Sequence, residues 1–369
     1  MADIRFKSVG TYLTQLFGKT VKLLSVGGMP ATGKKDELKG FGYGEPVMVE
    51  YEVDGEVRRS VLATARHQGG FGHDYLADRA AGMVLAHETF NNLPDHVHSL
   101  DLGVLRQNGD MISIGDVDDF FLLDEFVEGY EYFRDLERIK DTGKAGEHDI
   151  ERCKALSDYL ADIHREPGLS DKKTREVLYA RRIRDLIGHG ECIMGLVDSY
   201  PPDWAFLKTD ELKKIEMACI SWRWRLRLKE HRLCQEHGDF HPWNVLFKDD
   251  TGTGFWVLDR SRGEFGEAAD DVAAMSINYI FYALQHTGEF DGPFATLYKE
   301  FMENYIRKTG DEEMLSVIQP FYAWRGLVIA SPVWYPNLDD KIRRKIFNFI
   351  ENVLRTNIFD ISKISEYLD

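Results

Sequence analysis

HGDFHPWNVLFKDDTGTGFWVLD, residues 237–259, is the stretch on which the reading of this chain turns. It sets Asp239 five residues ahead of Asn244 and ends on Asp259, directly after the apolar run Phe255-Trp256-Val257-Leu258. Moving a phosphoryl group from a magnesium nucleotide needs one carboxylate to accept or orient the proton of an attacking hydroxyl. It also needs an amide oxygen and a second carboxylate for the metal that bridges the phosphates. Mg²⁺ prefers hard oxygen ligands and keeps several waters, so two protein oxygens and the phosphates complete its shell without a dedicated cage. A second chemistry fits some of the same residues: His237, Asp239 and His241 together have the composition of a metallohydrolase site. Against a zinc site, no further His or Cys falls at ligand spacing nearby.

The string HGDFHPWN resembles the H-x-D-x-x-x-x-N catalytic loop of the aminoglycoside phosphotransferase family, the small-molecule branch of the kinase-like fold. The resemblance runs from about Glu236 to Met275, because Asp270-Asp271-Val272-Ala273 also resembles the D-[LV]-A that opens the following helix in that family. It implies that Asp239 is the catalytic base, that Asn244 and Asp259 bind Mg²⁺, that ATP is the co-substrate, and that His237 and Asp271 brace the loop. It implies an α+β, bilobal, protein-kinase-like fold. A small antiparallel-sheet lobe for the nucleotide would span residues 1–128, and a larger, mainly helical catalytic and acceptor lobe residues 129–369. The acceptors of the family include aminoglycosides, amino alcohols such as choline, sugars and homoserine.

Upstream, residues 21–26 and 46–53 read as strands, Asp54-Gly55 as a hairpin turn and residues 57–66 as a third strand. Gly40-Phe41-Gly42-Tyr43-Gly44 precedes the second strand, where a kinase-like lobe carries a loop over the phosphates; glycine lets backbone amides approach those oxygens. A rival, Gly28 to Lys35, nearly spells a Walker A loop. Lys35 stands where the Mg²⁺-touching hydroxyl belongs, and Gly40, Gly42 and Gly44 interrupt the helix that should follow. The third strand departs from the kinase pattern: residues 61–66 hold no lysine to meet the α- and β-phosphates. Arg66 is the replacement cation, with Asp78 or Glu88 on the helical segment 74–92 as its acidic partner. Residues 119–129 read as an apolar strand ending in acids and glycine, which places Glu125 and Phe126 at the hinge that holds adenine through backbone groups. An ordinary edge strand explains the same residues.

The second lobe reads as helical throughout. Residues 155–164 form a helix ending in the structural His164, with Pro167 as breaker. Residues 221–229 interleave tryptophan and arginine. Helical spacing puts Trp222 and Leu226 in the core and leaves the arginines to pair with surplus acids, so no nucleic-acid face is expected. After the metal aspartate, Arg260 and Arg262 either meet phosphate oxygens or form ion pairs with Glu264 and Glu267. Residues 277–284, 294–306, 314–331 and 341–354 read as amphipathic helices closing the lobe.

Composition agrees. A chain of 369 residues with 43% apolar content has enough for a large core, and a net charge of −16 disfavours nucleic acid and anionic membrane while admitting a cationic acceptor. The four cysteines form no CxxC pair, the first residues lack a signal-like apolar core, and no apolar run is long enough to span a bilayer; a cytoplasmic protein is expected. Two other functions stay open: a nucleotide-binding pseudokinase acting through partners, because of the missing lysine, and a metal-dependent hydrolase.

Overall fold

The structure is a computed structural model that describes residues 6–28, 46–64, 71–165, 169–202 and 204–369. The chain divides into two compact units, Met1–Asp124 and Glu125–Asp369.

The first unit opens with helix α1 (Phe6–Phe17), followed by strands β1 (Lys22–Gly28), β2 (Val47–Val53) and β3 (Glu56–Leu62). The three strands make one antiparallel sheet in the order β1-β2-β3. Asp54 and Gly55 both have positive φ, 53° and 81°, and Val53 pairs with Glu56 across them. This is the two-residue hairpin that an Asp-Gly pair favours, because its backbone twist matches that of the flanking strands. Period-two alternation in β2 buries Val49, Tyr51 and Val53 against Val9 and Leu13 of α1. Helix α2 (Leu76–Phe90) and the short hairpin β4 (Gly103–Leu105) and β5 (Met111–Ser113) complete the unit. No residue of α2 is buried.

The second unit is mainly helical. Strand β6 (Tyr130–Glu131) leads into α3 (Tyr132–Thr142), α4 (Glu147–His164), α5 (Lys172–Gly188), α6 (Ile193–Ser199) and α7 (Thr209–Leu226). Four short strands follow: β7 (Leu233–Gln235), β8 (Val245–Phe247), β9 (Phe255–Val257) and β10 (Phe265–Glu267). They pair antiparallel as β6-β8-β9 and β10-β7. The chain closes with α8 (Ala268–Thr287), α9 (Gly292–Thr309), α10 (Gln319–Ala330), α11 (Asp340–Arg355) and α12 (Ile364–Leu368). Every residue of α8 from Ala268 to Leu284 is buried, so this helix is the axis of the unit; α3, α9 and α10 pack around it. Each large side chain it buries contributes about 1.5–3 kcal/mol. The α+β arrangement, a small antiparallel sheet followed by a larger helical body, is the one expected.

Some local expectations fail. Residues 118–129 form no strand, and Phe121, Leu122, Leu123 and Phe126 are 92, 84, 89 and 85% exposed. Apolar, strand-favouring residues make a strand only where a neighbour supplies hydrogen bonds, and none of the described strands runs beside them. Strand β3 ends at Leu62, short of the expected limit. Residues 172–232 fold as three helices with a 3₁₀ turn, Glu230–Arg232, at their end. Trp222 and Leu226 are buried as expected. The arginines beside them lie over tryptophan rings instead of acids, Arg225 over Trp222 at 4.6 Å and Arg227 over Trp224 at 4.5 Å.

Candidate active site

The loop between β7 and β8 is shaped by a few backbone commitments. Gly238 has φ +86°, a conformation that side chains rarely adopt, and a Cβ there would press on Cβ of Arg262 at 3.0 Å. His237 and Gly238 donate their backbone N–H groups to the two carboxylate oxygens of Asp271 at 2.7 and 2.8 Å. Asp271 stands in the first turn of α8, where the helix dipole also favours a negative charge. Burial works against its ionised form, yet the hydrogen bond from His164 and the charges around it hold its pKa below the usual carboxylate range. His164 itself is locked between Asp271 (3.1 Å) and the Tyr305 hydroxyl (2.8 Å), a structural post at the end of α4.

Pro242 then opens a single 3₁₀ turn, Pro242–Asn244, in which His241 Nδ1 accepts the N–H of Trp243. Its last residue folds back: Asn244 Nδ2 donates to the carbonyl of Asp239 at 3.0 Å, which leaves the amide oxygen of Asn244 for another partner. Pairing of β8 with β9 continues one step beyond the strands, because Leu258 N–H donates to the carbonyl of Asn244 at 2.9 Å. Asp259 follows, exposed and in the left-handed region at φ +57°. Such a conformation in a non-glycine residue costs of order 1–3 kcal/mol and clusters where side chains are aimed for function. The fold thus brings Asp239, Asn244 and Asp259 onto one loop and the adjoining strand end. An amide and a carboxylate are hard oxygen donors, the kind that could hold a divalent cation together with phosphates and water.

Asp239 is the most constrained of the three. Arg325 Nη1 from α10 holds its Oδ1 at 2.5 Å, while Arg262 Nη2 and His241 Nε2 stand 3.6 and 3.7 Å from Oδ2. Burial opposes its charge, but Arg325, His241 and Arg262 prevail and hold its pKa below the usual value. Burial lowers His241 to about 4, so the ring is neutral at pH 7. Behind them lies a buried network: Asp270 is shared by Arg325 Nη2 at 2.8 Å and by Arg182, whose Nε also donates to Glu236 at 2.9 Å. A Cβ at Gly266 would fall 2.0 Å from a Glu236 oxygen, so any larger residue there would displace that carboxylate from its place in the network.

The sequence reading missed Arg325, Arg182 and Glu236. The one legible signal was Arg325, a lone charge in the otherwise uncharged helix Gln319–Ala330. Of the other expected residues, Gly40, Gly42, Gly44 and Arg66 lie outside the described residues. Glu125 and Phe126 are exposed in the segment without strand structure. Asp78 accepts the N–H of Tyr75 and caps its own helix. Neither Arg260 nor Arg262 pairs with Glu264 or Glu267 side chains. Arg260 donates to the carbonyls of Glu236 and Glu264, Arg262 pairs with Glu191 at 2.9 Å, and Glu267 is held by Arg232 and Tyr179. Trp243 stacks on Phe133 at 5.5 Å.

Among the described residues no group of three or more His, Cys, Asp or Glu is arranged to hold a metal, so His237, Asp239 and His241 do not form the ligand set a zinc hydrolase needs. Among the same residues no helix is long and apolar enough to cross a membrane.

No curated protein sequence matches the chain. Among solved structures, an ethanolamine kinase from Plasmodium vivax is 12% identical, with 94% of this chain and 80% of that one covered and a TM-score of 0.35. An amicoumacin kinase in complex with AMP-PNP and Ca²⁺ is 13% identical over 92% of this chain and 91% of that one, with a TM-score of 0.41. A choline/ethanolamine kinase family protein from Mesorhizobium loti is 11% identical over 91% of this chain and 94% of that one, with a TM-score of 0.34. Likenesses this distant carry no functional weight by themselves. The model of the phosphotransferase enzyme family, in contrast, matches residues 114–304, just over half of the chain and the whole of the loop and strands around Asp239, and the chain belongs to that family.

Proposed function

We propose that this protein moves the γ-phosphoryl group of ATP to a hydroxyl of a small molecule, an amino alcohol-, aminoglycoside- or sugar-like acceptor, in the cytoplasm and without nucleic-acid or membrane partners. The observation that supports this best is the Asn244 side chain, which ties itself to the Asp239 carbonyl while its backbone pairs with Leu258, next to Asp259. Asp239 orients the acceptor hydroxyl. With its pKa held low it stays ionised and acts by accepting a hydrogen bond and positioning the oxygen. Asn244 and Asp259 hold Mg²⁺, which neutralises charge on the phosphate oxygens when bound. In this reading residues 1–128 form the nucleotide lobe, with Gly40, Gly42 and Gly44 over the phosphates, Arg66 in place of lysine, and Glu125 and Phe126 beside adenine; residues 129–369 form the catalytic and acceptor lobe.

Asp239→Asn is expected to leave nucleotide affinity within about threefold and to lower acceptor-stimulated ADP release by at least about a hundredfold. Unchanged turnover would reject the role. A second reading, a nucleotide-binding pseudokinase, draws on two observations: Arg325 already occupies one oxygen of Asp239, and β3 contains no lysine. Magnesium-dependent ATP turnover over an acceptor panel separates the two, since a pseudokinase binds nucleotide and releases no ADP.

A further inference from the structure

The two oxygens of Asp239 are not equivalent. Oδ1 is taken by Arg325 at 2.5 Å, so Oδ2 is the oxygen open to an acceptor hydroxyl. Beside Oδ2 stand His241 Nε2 at 3.7 Å and the guanidinium of Arg262, whose Nη2 lies 3.6 Å away. Arg262 is fixed in place: its guanidinium lies 4.9 Å over the Trp324 ring, and Gly238 admits its Cβ by carrying none of its own. Its hydrogen bonding is incomplete. Nε is buried without a partner, and Nη1 is paired with Glu191, a side chain that is 67% exposed. The pair is open to water on its carboxylate side, since Glu191 is the exposed partner and the Arg262 side chain is 17% exposed, so a ligand's anion can take the place of the Glu191 carboxylate. A guanidinium edge with donors to spare matches the two oxygens of a carboxylate or phosphate.

Building on the phosphotransferase reading, the geometry points to Arg262 as a specificity-determining residue that receives a carboxylate or phosphate borne by the acceptor, a few bonds from the hydroxyl that meets Asp239. An amine in that position would stand against the guanidinium. The whole-chain charge of −16 is thus a poor guide to the acceptor, because the charge next to the reacting oxygen has the opposite sign.

The test uses the full chain saturated with Mg-ADP and four ligands on one three-carbon skeleton: glycerate, glycerol phosphate, glycerol and aminopropanediol. Titration calorimetry is expected to show at least one of the two anions binding at least about tenfold more tightly than glycerol and aminopropanediol. R262Q removes that preference and R262K keeps part of it, which guards against a variant that merely misfolds. Whether glycerate or glycerol phosphate binds better separates carboxylate from phosphate as the recognised group. The inference is overturned if glycerol or the amine binds as tightly as the better anion, if neither anion binds measurably, or if the preference survives R262Q. It is also overturned if R262Q weakens Mg-ATP and leaves the anions unaffected, which would assign the guanidinium to the nucleotide. Turnover by D239N reports separately on phosphoryl transfer, so either idea can fail without the other.

Discussion

Both units carry exposed ion pairs, but the second adds a buried set around Asp239 that has no counterpart among the described pairs of the first. In the first unit Arg59 meets Glu50 at 2.9 Å and Lys19 meets Asp54 at 2.6 Å, with both cations more than half exposed. In the second, Arg325 spans Asp239 and Asp270 with 8% of its side chain exposed, and Arg182 joins Asp270 to Glu236 with 6%. Exposed pairs are screened by water and decide little. Buried ones cost several kcal/mol of desolvation per ion, and a well-packed apolar substitute for the whole set would often be as stable. The second unit's charges are therefore there for position: they hold one carboxylate at a set place and in its ionised state.

That contrast breaks most visibly at Arg325. Arg325→Met leaves Asp239 and Asp270 buried without their shared cation and is expected to cost about 3–5 kcal/mol of stability. The equivalent change at the exposed pair, Arg59→Met, is expected to cost no more than about 1 kcal/mol. All seven tryptophans lie between residues 204 and 334, so their fluorescence during denaturant unfolding follows the second unit alone, while far-ultraviolet circular dichroism covers both. A loss below about 1 kcal/mol at Arg325 would mean that its network relaxes to admit water, and the distinction drawn here would be lost. The apolar core gives the next effect in size. Leu156 of α4 is fully buried, and Leu156→Ala is expected to cost about 2–5 kcal/mol by the same fluorescence measurement.

The acid side of the stability profile sharpens the comparison further. Burial holds the folded His241 ring at about pKa 4 against 6.5 in an open chain. Between those values the unfolded chain takes up the proton and the folded one does not, so stability is complete above pH 6.5 and falls as the pH drops toward 4. The slope from one such group is at most about 1.4 kcal/mol per pH unit. His241→Asn keeps a side-chain acceptor for the Trp243 N–H and is expected to flatten that slope in fluorescence-monitored unfolding. Asp239, with its folded pKa depressed, acts lower: its contribution is present above the ordinary aspartate range near about 4 and is lost as the pH falls through the folded value. An unchanged slope in His241→Asn would show that the ring titrates as if open to water.

How much of this could be read in advance divides along the same line. The helices of the second unit were legible because a helix buried on one side must repeat its apolar residues, and α9 and α11 formed close to their expected bounds. The loop carrying Asp239 and Asn244 was legible because its spacing is local. Arg325 was not: it reaches Asp239 across 86 residues, and no spacing in the sequence encodes that approach. The strand reading of residues 119–129 failed for a related reason, since strand formation depends on a partner supplied from elsewhere in the fold. The hairpin at Asp54 and Gly55 succeeded because the turn type follows from the two residues themselves.

The smallest expected effect tests the thinnest part of the comparison. Helix α2 buries none of its residues, and Leu85 on it is 60% exposed. With little apolar area removed from water, Leu85→Ala should change stability by less than about 0.5 kcal/mol, against the several lost at Leu156. Circular dichroism follows this substitution, because the first unit has no tryptophan. Alanine has slightly the better helix propensity, so a small gain is as acceptable as a small loss. A cost above about 1 kcal/mol would instead mean that the face carrying Leu85 is covered in solution, since only a side chain withdrawn from water loses that much on truncation. The first unit would then owe its order to something outside its own core of Val9, Leu13, Val49, Tyr51 and Val53, and its thin packing would count as preparation for that contact.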